Sequence, residues 1–224
     1  EENYHLPDVM VATQYLNINS EKISKSKGNG ITIKQMVDEY NVDSLRYYMI
    51  AYGPENKDVD FTVENYINVH NSDIVNKFGN FVNRTLKFKG LDEILLGIMD
   101  TQMKEKIDET YKEVSEYIES LEFKKACSKI IELIEMGNKY YDERKPWIQK
   151  RENIEEFNNT IYTCTNIIAN LSNLIEPIMP QTSKRIREYL KIERPLWKQI
   201  QIKEKISLGN IEILFERIDI NKNR

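Results

Sequence analysis

Ile74-Val75-Asn76-Lys77-Phe78-Gly79-Asn80-Phe81-Val82-Asn83-Arg84-Thr85-Leu86-Lys87 is the stretch whose reading decides the fold. Ile74, Phe78, Phe81, Val82 and Leu86 recur at intervals of three, four or one, the stripe of an α-helix with one buried face. The pattern runs from Thr62 to Lys89 and predicts one long helix there. Asn76, Asn80, Arg84 and Lys87 follow one another at spacings of four, four and three, so they share the opposite face. From Ile74 to Leu91 the chain carries Lys77, Arg84, Lys87 and Lys89 and no Asp or Glu, although its net charge is -4. Asparagine can read base edges, and arginine can hydrogen-bond or stack on an unstacked base. A solvated polar face with some basic character satisfies the same residues.

Further helices follow at similar period. Thr101–Ser120, Glu122–Tyr141 and Asn153–Glu176 each carry apolar residues three and four apart, and Pro177–Leu190 predicts a shorter one. Helices of this length joined by short breaks make a bundle. Upstream, Thr32 is the expected N-cap of a helix to Tyr40, Asp43 caps a second that Gly53-Pro54 ends, and Glu64 sits in the first turn of a third. Leu6–Ala12 and Tyr15–Ile18 read as strands or strand ends. Downstream, Leu208–Ile218 predicts an extended tail whose apolar residues dock, with the first domain as one place for them.

Lys145-Pro146-Trp147 interrupts the bundle, and Pro146 forces a new helix start. Trp147 there is either a stacking platform for a base or a ring packed against its neighbours, whereas Trp197 reads as packing. Before the first helix, Lys22-Ile23-Ser24-Lys25-Ser26-Lys27-Gly28-Asn29-Gly30 packs three lysines, two serines and two glycines into nine residues without an acid. Such a loop suits an anion, since a glycine-rich backbone approaches phosphate closely and ammonium groups act as point charges; a solvated lysine-rich turn has the same composition.

The remaining composition narrows the classes. At 224 residues, 40% hydrophobic and 30% charged, the chain can bury a core, and it has neither a membrane-length apolar run nor a basic-then-apolar leader. A cytoplasmic protein is expected. Cys127 and Cys164 lie far apart in helical patterns, which predicts free buried thiols rather than a disulfide or zinc site. His5 and His70 stand alone, and no metal ligand set is expected.

Lys22 to Ser26 resembles the KMSKS signature of class I aminoacyl-tRNA synthetases, with Ile23 in place of Met and Gly28-Asn29 following as in that family. One departure is Ser20, where the family usually has Gly; Asn19 beside it tolerates a left-handed turn. Leu45-Arg46-Tyr47-Tyr48, Asp58-Val59-Asp60-Phe61, Asn71 to Arg84, Lys145-Pro146-Trp147 and Glu176-Pro177-Ile178-Met179-Pro180 resemble, in order, landmarks of the methionyl-tRNA synthetase family. The resemblance covers essentially the whole chain. It implies a mainly α fold, a helical-bundle anticodon-binding domain preceded by the C-terminal edge of a Rossmann-like catalytic domain. The expected divisions are residues 1–31 with the lysine loop, a helical connector 32–72, the bundle 73–190 and a tail 191–224.

The resemblance also implies roles. Lys22 and Lys25 would stabilise the charge of departing pyrophosphate, Lys25 most directly, and Lys22, Ser24, Lys25 and Ser26 would hold ATP phosphates. Asn80, Arg84 and Trp147 match residues that contact the CAU anticodon of tRNA-Met. ATP and magnesium belong to the complete enzyme, whose His-Ile-Gly-His signature, methionine pocket and zinc-bearing insertion lie before the segment present here. The chain is therefore expected to be a fragment that does not catalyse alone, and a stand-alone, non-catalytic tRNA-binding relative is the alternative.

Overall fold

The computed structural model of this chain describes residues 5–23, 30, 32–193 and 197–220. Leu16–Ile18 (β1) turns back through Asn19 and Ser20 into Glu21–Lys22 (β2), and both turn residues have positive φ, 49° and 64°. A left-handed serine is costly, and here Asp60 offsets the strain, accepting from the Ser20 N–H at 2.7 Å and from its Oγ at 3.2 Å. Asp60 belongs to Val59–Phe61 (β3), which lies parallel to β1 and gives the order β2-β1-β3. Leu6 to Ala12 forms no strand: Leu6 and Met10 are 80% and 87% exposed.

Between these strands lie Ile33–Glu39 (α1) and Val42–Ala51 (α2). Thr32 and Gln35 make the full capping box of α1. The α2 cap is Asn41, which accepts from Ser44 N at 3.0 Å, not Asp43 as the sequence suggests. Asp43 falls one position too far in, is buried, and instead accepts from Thr182 N at 2.6 Å. It thereby caps Pro180–Leu190 (α9), whose own N-cap, Met179, has no side chain for the purpose.

The predicted long helix from Thr62 is three pieces: Val63–Val69 (α3), a π-helical segment His70–Gly79, and Asn80–Leu86 (α4). Within the π segment His70, Asn71 and Asp73 are all buried, and each is bonded to another part of the chain. His70 Nε2 donates to Glu216 O at 2.8 Å, which leaves Nδ1 to accept from Ser44 Oγ at 2.6 Å, while Ser44 Oγ accepts from Tyr66 at 3.3 Å. Burial lowers the His70 pKa below 6.5, against the opposing pull of the Glu216 carbonyl. The unfolded chain then binds a proton more readily, so the stability His70 contributes is fully present above pH 6.5 and is lost as the pH falls toward the lower folded value. His70→Gln is expected to flatten thermal stability against pH in that window; an unchanged profile would show that this network is not what titrates.

The bundle is built on Ile154–Leu174 (α8), buried on nearly all sides from Phe157 onward, with Thr101–Glu119 (α5) and Phe123–Arg144 (α6) packed beside it. Two large cores result. One joins Ile74, Phe78, Phe81 and Leu86 to the bundle helices, and a smaller one holds Ile18, Met36, Leu45, Tyr48, Phe61 and Tyr66. The tail docks as expected and spans both: Ile211, Leu214 and Phe215 enter the larger core, while Ile218 and Ile220 pack on the smaller. Asn71 fixes the crossing by accepting from Ile218 N at 3.0 Å and donating to its carbonyl at 2.8 Å.

A second part of the tail is held by polar side chains inside the bundle. Tyr162, Asn166, Asn170 and Asn173 stand at helical spacing on α8, all buried. Asn173 donates to Lys198 O, Asn170 both donates to Ile200 O and accepts from Ile200 N, Asn166 accepts from Ile202 N, and Tyr162 donates to Ile202 O. These side chains give an extended segment the partners a neighbouring strand would give.

Cys127 and Cys164 are free and buried, and burial pushes the Cys127 thiol up to about 12. Among the described residues no helix is long and apolar enough to cross a membrane.

Candidate nucleic-acid interface

The π segment and α4 form one wall of an open cleft of about 670 Å³. Asn76, Lys77, Asn80 and Arg84 line it, facing Glu135, Asn138, Lys139, Asp142 and Glu143 of α6, with Lys145 at the end. The polar face expected from spacing is thus the cleft wall for Asn76, Asn80 and Arg84. Lys87 is exposed outside it, because α4 ends at Leu86.

Arg84 is held rather than solvated. Its Nη1 donates to Asp142 at 2.8 Å, its Nη2 to the Asn138 carbonyl, and its guanidinium lies 4.1 Å from the Tyr141 ring centroid. Tyr141 returns a hydrogen bond from its hydroxyl to Arg84 O at 2.9 Å. A planar cation over an aromatic face, with its fork fixed, is a prepared surface for a base or a phosphate.

Trp147 reaches the same place by a local rule. α6 ends at Lys145 in the left-handed region, φ 50°, and Pro146 opens Pro146–Glu152 (α7) at its N1 position. The sharp turn brings Trp147 against Tyr141, ring centroids 6.1 Å apart and tilted 39°. Trp147 packs on one side and is still 46% exposed, so packing leaves part of the ring open. Tyr141 is the residue that sequence reading missed. It stands between Arg84 and Trp147 and touches both, and its only signal was a Tyr-Tyr pair just before the Lys-Pro break.

Asn80, one turn before Arg84, is exposed on the cleft wall. Below it Lys77 bridges Asp73 at 3.1 Å and Glu135 at 2.9 Å. Burial raises the Asp73 pKa, but hydrogen bonds from Tyr52, Lys77 and Tyr47, with the Lys77 charge, hold it below the usual carboxylate range. This network joins α2, the π segment and α6 beneath the cleft.

The lysine-loop residues are elsewhere. Lys22 is exposed on β2, its ammonium 5.0 Å from the Tyr15 ring. Ser24, Lys25 and Ser26 lie outside the described residues. The sheet carrying Lys22 belongs to the smaller core, and Asn80, Arg84 and Trp147 belong to elements around the larger one.

Comparison with known proteins places these features. Residues 1–86 match the family described as tRNA synthetases class I (M), and residues 94–218 match the anticodon binding domain of methionyl tRNA ligase. Asn80 and Arg84 fall in the first match and Trp147 in the second, so the cleft straddles the two. A methionine–tRNA ligase of Bacillus anthracis is 39% identical over 223 residues, covering 97% of this chain and 40% of the relative. Methionine–tRNA ligase 1 of Alkaliphilus oremlandii is 35% identical over 217 residues, covering 96% of this chain and again 40% of the relative. The chain therefore spans about 40% of the length of the curated relatives it matches. The Mycobacterium tuberculosis methionyl-tRNA synthetase, solved in complex with methionyl-adenylate, has the same fold, with a TM-score of 0.82, 22% identity, and coverage of 90% of this chain and 43% of that one. With the anticodon-binding match alone extending from 94 to 218, more than half of its residues, the chain belongs to the methionyl-tRNA synthetase family of class I aminoacyl-tRNA synthetases.

Proposed function

We propose that the cleft and the ring beside it read the CAU anticodon of a methionine tRNA, as the tRNA-binding portion of a methionine–tRNA ligase. The observation that carries the reading is the row Arg84, Tyr141, Trp147, in which a fixed guanidinium and a half-exposed indole are held by one buried tyrosine. Unstacked anticodon bases need both a stacking platform and polar groups for their edges. Trp147 serves as the platform, and Asn80 and Arg84 serve the edges.

In the same reading Lys22 and Lys25, with Ser24 and Ser26, hold ATP phosphates when the rest of such an enzyme is present, and Lys25 meets the departing pyrophosphate. Lys22, exposed at the end of β2, has the chemistry for a polyphosphate. Magnesium belongs to the same reading, arriving with the nucleotide. The corresponding divisions are 1–31, 32–72, 73–190 and 191–224.

Binding of the chain to methionine tRNA, compared with the same tRNA carrying an unrelated anticodon, tests the reading. Each altered base is expected to weaken binding about tenfold, at roughly 1–3 kcal/mol per mismatched contact. Equal affinities would overturn it.

A further inference from the structure

The cleft is electrically lopsided. On its α6 side Glu135, Asp142 and Glu143 are each paired with a cation, Lys77, Arg84 and Lys139, whereas the side beyond Arg84 and Trp147 carries cations without such partners among the described residues. Lys87 is three residues after Arg84, and Arg151 is four after Trp147, so each base-reading residue has a cation one helical turn beyond it. Lys150 stitches the two elements together. Its ammonium donates to Lys89 O at 2.7 Å and Gly90 O at 2.8 Å, over the Phe88 and Phe157 rings. Gly90 permits the stitch: its φ is +72°, and a Cβ there would stand 3.0 Å from the Lys150 ammonium. Lys150 is thus committed to the fold, while Lys87, Lys89 and Arg151 are exposed and, among the described residues, have no carboxylate within ion-pair distance.

We infer that Lys87, Lys89 and Arg151 form a phosphate-contacting edge that seats the RNA backbone beside the base-reading residues, an inference resting on the anticodon reading above. A backbone laid along the α6 wall meets only cations already paired with carboxylates, Lys77 with Glu135, Arg84 with Asp142 and Lys139 with Glu143. Laid along the Lys87–Arg151 edge it meets unpaired cations, and the bases turn inward to Trp147 and Arg84. Contacts of this kind position the nucleic acid and carry no sequence information.

The test is the combined variant Lys87→Gln, Lys89→Gln, Arg151→Gln, titrated with methionine tRNA and with the anticodon-substituted tRNA at several salt concentrations. Losing three phosphate contacts is expected to reduce the slope of log affinity against log salt by roughly 2–3, which flattens the change between about 50 and 200 mM salt by roughly 15- to 65-fold. Both tRNAs should weaken by the same factor, leaving their ratio intact. A control of equal charge, Lys112→Gln, Lys191→Gln, Lys198→Gln, should leave the slope near that of the unaltered chain. An unchanged slope, a ratio that collapses, or an equal effect from the control would overturn the inference. Failure of the anticodon reading is separately visible, as equal binding of both tRNAs by the unaltered chain.

Discussion

Asn170→Ala is expected to lower the stability of the chain by roughly 2–6 kcal/mol, a large share of the roughly 5–15 kcal/mol that holds a domain folded. Asn170 is fully buried, and its amide serves four partners: it donates to Asn166 O and Ile200 O at 2.8 Å each, and accepts from Ile200 N at 2.7 Å and Tyr111 at 3.2 Å. Alanine leaves the N–H and the C=O of partly buried Ile200 without these partners. Each such group costs about 1–3 kcal/mol, because it was desolvated for a bond it no longer makes. Thermal unfolding followed by circular dichroism should show a midpoint lower by roughly 4–24 °C. Lys198→Ala, at an exposed side chain on the same segment, should move it far less. Equal shifts for the two would mean that the tail is held by its apolar residues and not by the asparagine ladder.

The second large effect is on binding. Trp147→Ala should weaken tRNA binding by roughly 5- to 150-fold, the equivalent of about 1–3 kcal/mol for one lost stacked base. The ring is 46% exposed, so folding should be little changed. Arg84→Ala should weaken binding as well, and Arg84→Lys should not restore it, since an ammonium cannot reproduce a planar fork lying 4.1 Å over Tyr141. Because Tyr141 touches both residues, the double variant should lose less than the sum of the singles. Additivity within about 0.5 kcal/mol would sink the idea that the three act as one surface. Tyr141→Leu, at a buried position, should then reproduce part of the loss while leaving Asn80 in place.

Much of this was legible in residue order, and the exceptions have physical causes. Helix periodicity located α5, α6 and α8 because their buried faces repeat every three or four residues. Thr32, Asn153 and Pro146 mark starts because a cap or a ring acts within its own turn. Asp43 was misread as a cap for the same reason. Its partner is Thr182, 139 residues away, and no local rule reports on that. Leu6–Ala12 has a strand's composition but no strand beside it to pair with, so it stays exposed. The π segment escaped because its apolar positions still repeat like those of an α-helix, while its distinguishing residues, His70, Asn71 and Asp73, are bonded to elements far along the chain.

By itself, then, residue order determined the helical class, most helix ends, the polar face bearing Asn80 and Arg84, and the lysine-loop spelling at Lys22, since each follows from interactions within a few turns of backbone. Tertiary structure alone decided that Tyr141 would stand between Arg84 and Trp147, that Asp43 would cap α9, and that the tail would lie across both cores. Those depend on which side chains meet across dozens of residues, and a contact of that kind leaves no period in the sequence.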